Sequence, residues 1–343
     1  MIDLGKYIKK LEESIASSDN ILLVCHVNPD GDAIGSMLAL YQFLSSRGKS
    51  VEMLSPNYLQ DFLLWMQDAD RINVFLRNRK KARRIIEAAN LIIFLDFNQK
   101  SRMGEAERFL MMSGAFKILI DHHVDPQDFA DMVISEPALC STAELIHRLV
   151  ISMNGASFSS PAYDEAVYVG IITDTGNFEH GTYTGDTMRI IAGLIDAGVD
   201  KEKVFDNVYN NFTVNRMRLQ GLALHSRLTV IEGYPVAYIW LTKKDLELFG
   251  YSKGDTEGFV NMPLSVRGIS VSALFVEKDG FIKVSLRSKG SFSVNDFAVK
   301  YFNGGGHVNA AGGEFYEPLD KTCIYFEKSI REVIPSNDES NIS

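Results

Sequence analysis

Cysteine is scarce in this chain of 343 residues: Cys25, Cys140 and Cys323 are odd in number and far apart. Because no Cys-x-x-Cys pair occurs, neither a disulfide framework nor a thiolate zinc site is expected. The cysteine usage favours a reducing, cytoplasmic setting.

Long hydrophobic runs are also missing. The apolar stretches fall short of the ~18 consecutive residues that a membrane-spanning helix needs. Residues 1–6 lack a basic segment followed by an apolar one, so no signal peptide is expected. We therefore expect no membrane partner.

Positive charge is in the minority, with a formal net charge of −9. This charge argues against a protein that coats long nucleic acid, although a few local cations could hold a short anionic substrate. Apolar residues make up 46% of the chain, so a substantial core can form. The length suits two domains.

The chain up to about residue 180 alternates short apolar strands with amphipathic helices, which predicts an α/β fold with a doubly wound, mostly parallel sheet. Strands are predicted at 21–25, 51–54, 91–95 and 117–120. Helices are predicted at 33–46, 78–89 and 141–153, and a further helix begins at Pro161. We interpret the run 167–172 as the end of that helix, although its periodicity also fits a strand.

The remainder of the chain changes character. Residues 185–227 are predicted to be helical, and strand-like runs alternating with helices then predict a smaller α+β domain. The predicted boundaries are an N-terminal domain at 1–190, a helical linker at 191–227, a C-terminal domain at 228–335 and a disordered tail at 336–343.

Acidic and imidazole side chains follow the apolar runs of the N-terminal domain. They are His26, Asp30 and Asp32 after the first strand, Asp96 after the third, Asp121, His122 and His123 after the fourth, and Asp174 after the run that ends at Thr173. Ligands of an open α/β sheet bind outside the carboxyl ends of its strands. Each residue alone fits a helix cap or a core histidine, but together these charges would repel one another without a cation. The joint pattern predicts a metal site.

The ligand types narrow the choice of metal. Carboxylates with a minority of imidazoles and no thiolate suit Mn²⁺, Mg²⁺ or Co²⁺ better than structural zinc. Five aspartates and up to three histidines exceed the needs of one octahedral ion, which favours two ions ~3.5–4 Å apart. Such a pair makes hydroxide from a bridging water at neutral pH and clamps phosphoryl oxygens. The expected reaction is hydrolysis of a phosphate ester or anhydride.

A glycine-rich motif occupies residues 303–313. Gly304, Gly305 and Gly306, placed before a predicted short helical stretch, would let backbone amides approach an anion. A plain glycine-rich turn is the alternative. The neighbouring His307 and the run from Arg287 favour phosphate binding, because arginine can grip a phosphate bidentately.

Together these motifs resemble the DHH phosphoesterase superfamily. Asp121-His122-His123 matches its name-giving motif, 26–32 its first motif, Asp96 its second and Asp174 its fourth, while 284–288 and 304–312 resemble the DHH-associated C-terminal domain. The resemblance covers residues 21 to about 315. Size and layout are closest to the nano-RNases and 3′-phosphoadenosine-5′-phosphate (pAp) phosphatases, which usually use Mn²⁺.

The resemblance implies a role for each matched residue. One ion would be held by His26, Asp30 and Asp96, and a second by Asp32, Asp96, His122 and Asp174. As catalytic residues, His123 would lie beside the scissile phosphate and Asp121 would orient the histidines. The implied substrate-binding residues of the C-terminal domain are Arg287, Ser288, Gly304, Gly305, Gly306 and His307. Glu179-His180 stands where relatives more often have a basic residue, which makes His180 a candidate for a further substrate contact.

The implied activity is hydrolysis of pAp and of RNA oligonucleotides of two to five nucleotides. Two alternatives stay open on the same metal centre: polyphosphate hydrolysis, and hydrolysis of linear or cyclic dinucleotides. A third alternative, a non-catalytic protein that senses nucleotides, conflicts with the presence of a candidate ligand at every metal position. Long duplex nucleic acid is not an expected partner, and the resemblance is compatible with a homodimer.

Overall fold

The computed structural model describes residues 4–154, 158–179, 181–252 and 254–336. The chain forms two compact units that divide between Asn211 and Phe212. This division lies inside the segment 191–227, which is predicted to be a helical linker. The predicted tail lies outside the described residues except for Ser336.

The first unit is built on a parallel sheet. Its strands in the described part of the chain are β1 (Asn20–Val24), β2 (Ser50–Ser55), β3 (Asn73–Val74), β4 (Leu91–Leu95), β5 (Phe116–Asp121) and β6 (Met132–Ser135). They lie in the order β3-β2-β1-β4-β5-β6. The predicted parallel α/β architecture is thereby confirmed. The short strands β3 and β6 were not predicted, because so few residues show no usable period.

Helices cover both faces of this sheet, as the doubly wound prediction requires. The described helices of this unit are α1 (Gly5–Ala16), α2 (Gly31–Ser46), α3 (Arg79–Ala88), α4 (Glu107–Met112), α5 (Thr142–Asn154), α6 (Pro161–Asp174), α7 (Gly185–Asp196) and α8 (Lys201–Val208). Successive strand side chains point to opposite faces. Ile21 and Leu23 accordingly pack with α2, α5 and α6, whereas Leu22 and Val24 pack with α3 and α4. The run 167–172 lies in α6, so the helical interpretation is confirmed.

The second unit is the α+β domain that the sequence predicts. Its strands among the described residues are β7 (Leu228–Val230), β8 (Val236–Leu241), β9 (Val271–Glu277), β10 (Ile282–Ser288), β11 (Gly305–His307) and β12 (Ala310–Phe315). Its helices are α9 (Val214–Ser226), α10 (Lys243–Leu248), α11 (Val294–Tyr301) and α12 (Leu319–Val333). The sheet order is β11-β12-β10-β9-β8-β7, and β8 and β9 run parallel while the other described pairs are antiparallel.

The short helical stretch predicted after the three glycines is wrong. Residues 305–315 form the hairpin of β11 and β12 instead. A Cβ at Gly304 would overlap the carbonyl oxygen of Gly312, and a Cβ at Gly313 would overlap that of Phe302. These glycines therefore permit close backbone packing. Among the described residues, no helix is both long and apolar enough to cross a bilayer.

Candidate metal centre

The carboxyl ends of three neighbouring strands deliver most of the candidate ligands. His26 follows β1, Asp96 directly follows β4, and Asp121 is the last residue of β5. Because β1, β4 and β5 are adjacent and parallel, these ends meet at one edge of the sheet. Asp174 arrives differently: it is the last residue of helix α6 rather than a strand-end residue.

A first group consists of His26, Asp30 and Asp96. Their ligand atoms all lie within 4.8 Å of one another. His26 Nδ1 lies 2.8 Å from the carbonyl oxygen of Val27, which can only accept, so Nδ1 carries the proton. Nε2 then faces Asp30 at 3.7 Å and Asp96 at 3.4 Å.

A second group consists of Asp32, His122 and Asp174, again within 4.8 Å. His122 Nδ1 lies 3.3 Å from the carbonyl oxygen of Leu139, which leaves Nε2 facing the carboxylates. Nε2 is 3.9 Å from Asp32, 3.7 Å from Asp96 and 3.5 Å from Asp174. Asp96 thus contributes one oxygen toward each group, since Oδ2 faces His26 and Oδ1 faces His122.

These separations fit ligands of a shared ion better than direct hydrogen bonds. A hydrogen bond between nitrogen and oxygen spans about 2.7–3.2 Å. Ligand atoms about 2.1 Å from one ion lie about 3–4 Å apart. The observed imidazole–carboxylate distances, 3.4–3.9 Å, fall in the second range. The residues present therefore fit divalent cations.

The electrostatics of the cluster also call for a cation. Burial, followed by the neighbouring carboxylates of Asp96 and Asp174, raises the pKa of Asp32 well above its ordinary value. Burial likewise raises the pKa of Asp174 to about 7. The position of Asp174 at a helix C-terminus is also unfavourable for negative charge. Bound positive charge would stabilise both carboxylates in their ionised form.

Histidine protonation balances part of this charge. Burial alone would lower the pKa of His26, but Asp30 and Asp96 outweigh it and raise that pKa to about 10. Burial would raise the pKa of Asp96, but His26 and the other two histidines hold it below the usual range. Protons on the histidines and bound cations would therefore supply the same balancing positive charge.

His123 forms a third group with Asp96 and His122, whose ligand atoms also lie within 4.8 Å of one another, and its ring is hydrogen-bonded to Asp121. His123 Nδ1 lies 2.6 Å from Asp121 Oδ1, so the fully buried carboxylate fixes the orientation of the ring. Burial would lower the pKa of His123, yet Asp121 and Asp96 raise it. Among the described residues, the second oxygen of Asp121 is buried without a hydrogen-bond partner. The arrangement suits a histidine that keeps a proton for transfer.

The N-terminus of helix α5 holds two of the ligands, a role that sequence analysis missed. The amides of Thr142 and Ala143 donate to the two oxygens of Asp32, at 2.7 and 2.8 Å. The Thr142 hydroxyl donates to Asp96 Oδ1 at 2.9 Å. The sequence signal at 141–144 predicts only a helix start, because a capping pattern does not show what the free amides face.

A second loop supports the segment that carries His26 and Asp30. The amide of Asn28, at φ 52°, donates to Asn57 Oδ1 at 2.7 Å, and Asn57 Nδ2 donates back to Asn28 Oδ1 at 2.8 Å. Because the two segments are far apart in sequence, no local pattern could reveal this support.

The candidate substrate residues all lie in the second unit, on β10 and in the β11–β12 hairpin. Arg287 is half-buried, and burial lowers the pKa of its guanidinium. The Ser288 hydroxyl donates to the carbonyl oxygen of Phe292 at 2.7 Å, and the Gly306 amide donates to Asn295 Oδ1 at 2.7 Å. These two groups are thus occupied by protein contacts. Gly304 and Gly305 lie where β11 begins, His307 ends that strand, and His180 lies outside the described residues.

Two family matches cover most of the chain. The DHH family N-terminal domain matches residues 20–171, and the DHHA1 domain matches residues 233–331. These ranges fall within the two compact units.

Several relatives match nearly end to end. The chain is 28% identical over 309 residues to the bifunctional oligoribonuclease and PAP phosphatase NrnA of Bacillus subtilis, covering 90% of this chain and 93% of the relative. It is 30% identical over 295 residues to the Thermus thermophilus protein of the same description, covering 85% and 83%. A solved structure, an exopolyphosphatase-related protein from Bacteroides fragilis, shares 40% identity with a TM-score of 0.94, covering 97% and 98%.

Proposed function

The chain belongs to the DHH family and is a metal-dependent phosphoesterase, and from this premise we propose that it hydrolyses short oligoribonucleotides and pAp. The observation that carries the proposal is that Asp96 presents one carboxylate oxygen to each of the two ligand groups, Oδ2 toward His26 and Oδ1 toward His122. The substrates come from the description of the NrnA relatives, which align with this chain over most of their length.

In this proposal His26, Asp30 and Asp96 hold one divalent ion. The second ion is held by Asp32, His122 and Asp174, again with Asp96. When bound, such ions supply positive charge for the phosphoryl oxygens and lower the pKa of a bound water. The donor set favours Mn²⁺, with Mg²⁺ or Co²⁺ as substitutes. The cysteine usage supports a cytoplasmic location.

His123 is the proposed proton donor. Its Nδ1 is fixed on Asp121, so its Nε2 is the atom that points away from that carboxylate. Asp121 and Asp96 raise the pKa of His123 against the effect of burial, which favours the protonated ring. From this position it would stabilise the scissile phosphate or protonate the leaving oxygen.

The test is a substrate panel with Mn²⁺: pAp, RNA of two to five nucleotides, a 24-nucleotide RNA, a cyclic dinucleotide and polyphosphate. We expect turnover of pAp and of the short RNAs, loss of turnover in EDTA, and loss in Asp96→Asn. Asp279→Asn is the matched control, because Asp279 is a fully exposed carboxylate of the second unit. Activity of Asp96→Asn near the wild-type level would contradict the shared-ligand assignment.

Polyphosphate hydrolysis is the second candidate, and the Bacteroides fragilis structure at 40% identity favours it. A preference for polyphosphate over pAp and RNA dimers in the same panel would replace the first proposal. Hydrolysis of cyclic dinucleotides has weaker support. The cyclic-di-AMP phosphodiesterase PdeA of Listeria monocytogenes is 25% identical, and this chain spans 48% of its length.

A further inference from the structure

The segment after Asp174 holds two consecutive non-glycine residues in a left-handed conformation. Asn177 has φ 57° and Phe178 has φ 67°. Such backbone is strained for residues other than glycine and persists only where surrounding contacts impose it. Here the Asn177 amide donates to the carbonyl oxygen of Ile172 at 2.7 Å, and the Phe178 amide donates to Thr175 Oγ1 at 3.1 Å.

This turn fixes an aromatic pair. The rings of Phe178 and Tyr183 meet edge to face, with centroids 5.5 Å apart and planes at 73°. Phe178 is partly buried and packs against the core of the first unit. Tyr183 remains 40% exposed, so part of its ring is open to solvent.

Hydrogen bonds connect the segments that carry this pair to residues next to candidate metal ligands. Phe178 is held by Thr175, the residue directly after the ligand Asp174. Thr182, the neighbour of Tyr183, donates to the carbonyl oxygen of Leu139 at 3.4 Å, and His122 Nδ1 contacts that same oxygen at 3.3 Å. Tyr183 therefore directly follows Thr182, whose hydroxyl contacts the same carbonyl oxygen as the candidate ligand His122.

We propose that Tyr183, held in place by Phe178, is the stacking platform for a nucleobase of the substrate whose phosphate lies at the metal centre. An exposed aromatic face stacks on any base, so it would give affinity for nucleotides without sequence preference. The proposal rests on the proposed function, because it requires a substrate that carries a base. It adds a means of favouring nucleotides over polyphosphate, which has no ring to stack.

The test compares Tyr183→Ala and Tyr183→Phe in the full chain with Mn²⁺. The substrates are 5′-phosphorylated RNA dimers and matched dimers that are abasic at one position or the other. Tyr316→Ala is the control, because Tyr316 is 65% exposed and also pairs with a phenylalanine, Phe281, in the second unit. Tyr316 directly follows Phe315, which pairs with Ile282 at the start of β10, whereas Arg287 lies near the other end of that strand. Tyr316 is therefore remote along the strand from the candidate substrate residue Arg287.

We expect Tyr183→Ala to raise KM for the intact dimer about 5- to 150-fold, the range of one lost base–aromatic stack. Tyr183→Phe and Tyr316→Ala should stay near wild type. For the dimer that is abasic at the stacked position, wild type and Tyr183→Ala should have equal KM. The proposal would be overturned if wild type and Tyr183→Ala had the same KM for the intact dimer. It would also be overturned if Tyr183→Ala raised KM by the same factor for the intact and the abasic dimers.

A binding measurement separates this proposal from the proposed function. A phosphonate-linked dimer that cannot be hydrolysed, carrying 2-aminopurine at either position, should lose fluorescence on binding wild type and Tyr183→Phe but not Tyr183→Ala. Undiminished quenching by Tyr183→Ala would overturn the stacking role even if the enzyme cleaves dimers. A wild-type enzyme that cleaves neither dimers nor pAp would instead refute the proposed function. A changed oligomeric state of Tyr183→Ala in light scattering would reassign the ring to an interface between copies.

Discussion

At the scale of single residues, Thr142 joins two carboxylates that reach the centre from different elements. Its amide donates to Asp32 and its hydroxyl to Asp96, and the side chain is completely buried. Asp96 itself has φ 68°, a left-handed conformation that is unfavourable for aspartate and persists where surrounding contacts offset its cost. The hydroxyl of Thr142 is one such contact, and it leaves Asp96 Oδ1 turned toward His122.

Thr142→Val should therefore weaken the metal centre without unfolding the protein. Valine keeps the shape and the amide contact to Asp32 but removes the hydrogen bond to Asp96. We expect metal affinity or kcat/KM to fall about 10- to 100-fold, the usual effect of losing a group that orients a ligand. Mn²⁺ titration by calorimetry and activity at saturating Mn²⁺ would measure both quantities. Thr142→Ser, which restores a hydroxyl, should recover most of the loss, and wild-type metal affinity in Thr142→Val would contradict the role.

At the scale of elements, helices α2 and α6 cross closely enough to bring their ligands together. A Cβ at Gly35 of α2 would lie 2.5 Å from the carbonyl oxygen of Ala166 in α6. A Cβ at Gly170 of α6 would lie 3.0 Å from Asp32 Oδ1 and would overlap Ala143. These glycines set the approach that places Asp32 at the start of α2 near Asp174 at the end of α6.

Gly35→Ala should destabilise the fold, because the obstructing atom is backbone and cannot move aside. We expect a loss of about 1–3 kcal/mol in the free energy of unfolding, with weaker Mn²⁺ binding. Gly193→Ala is the matched control, since Gly193 also lies inside a helix but has no atom within 4 Å of the added methyl group. The free energy of unfolding of Gly193→Ala should rise by about 0.5–1 kcal/mol. Denaturant unfolding measures the free energy of unfolding of both variants, and a Gly35→Ala protein more stable than wild type would refute the close crossing.

The comparison of pattern and structure is clearest at this scale. Helix α2 was predictable because its apolar positions recur over several turns, whereas α6 was predictable from the helix start at Pro161, since the period of its run 167–172 also fits a strand. A short helical stretch was predicted where the structure has the hairpin of β11 and β12. The prediction is wrong because glycines that permit close backbone contact and glycines that bind an anion look alike in sequence. The crossing at Gly35 and the contacts of Thr142 depend on elements remote in sequence, which local periodicity does not encode.

At the scale of the whole molecule, the candidate chemistry is divided between the two units. The candidate metal ligands lie between His26 and Asp174, within the first unit, whereas the candidate substrate residues lie between Arg287 and His307, within the second. An overall charge of −9 opposes binding of an anionic substrate. Positive side chains near the substrate must offset that repulsion, and Arg287 is the cation in the candidate set.

Arg287→Ala should accordingly change binding more than chemistry. The loss of one charged hydrogen-bonding group costs about 1.5–3 kcal/mol, so we expect KM for pAp to rise about 10- to 150-fold. Because Arg287 lies outside the unit that carries the candidate metal ligands, kcat and Mn²⁺ affinity should stay near wild type. Arg331→Ala is the control, since Arg331 is an exposed helix residue whose carboxylate partner, Glu327, lies 3.7 Å away on the same helix. Steady-state kinetics separates the cases: an unchanged KM with a reduced kcat would place Arg287 at the reacting phosphate rather than at a distal one.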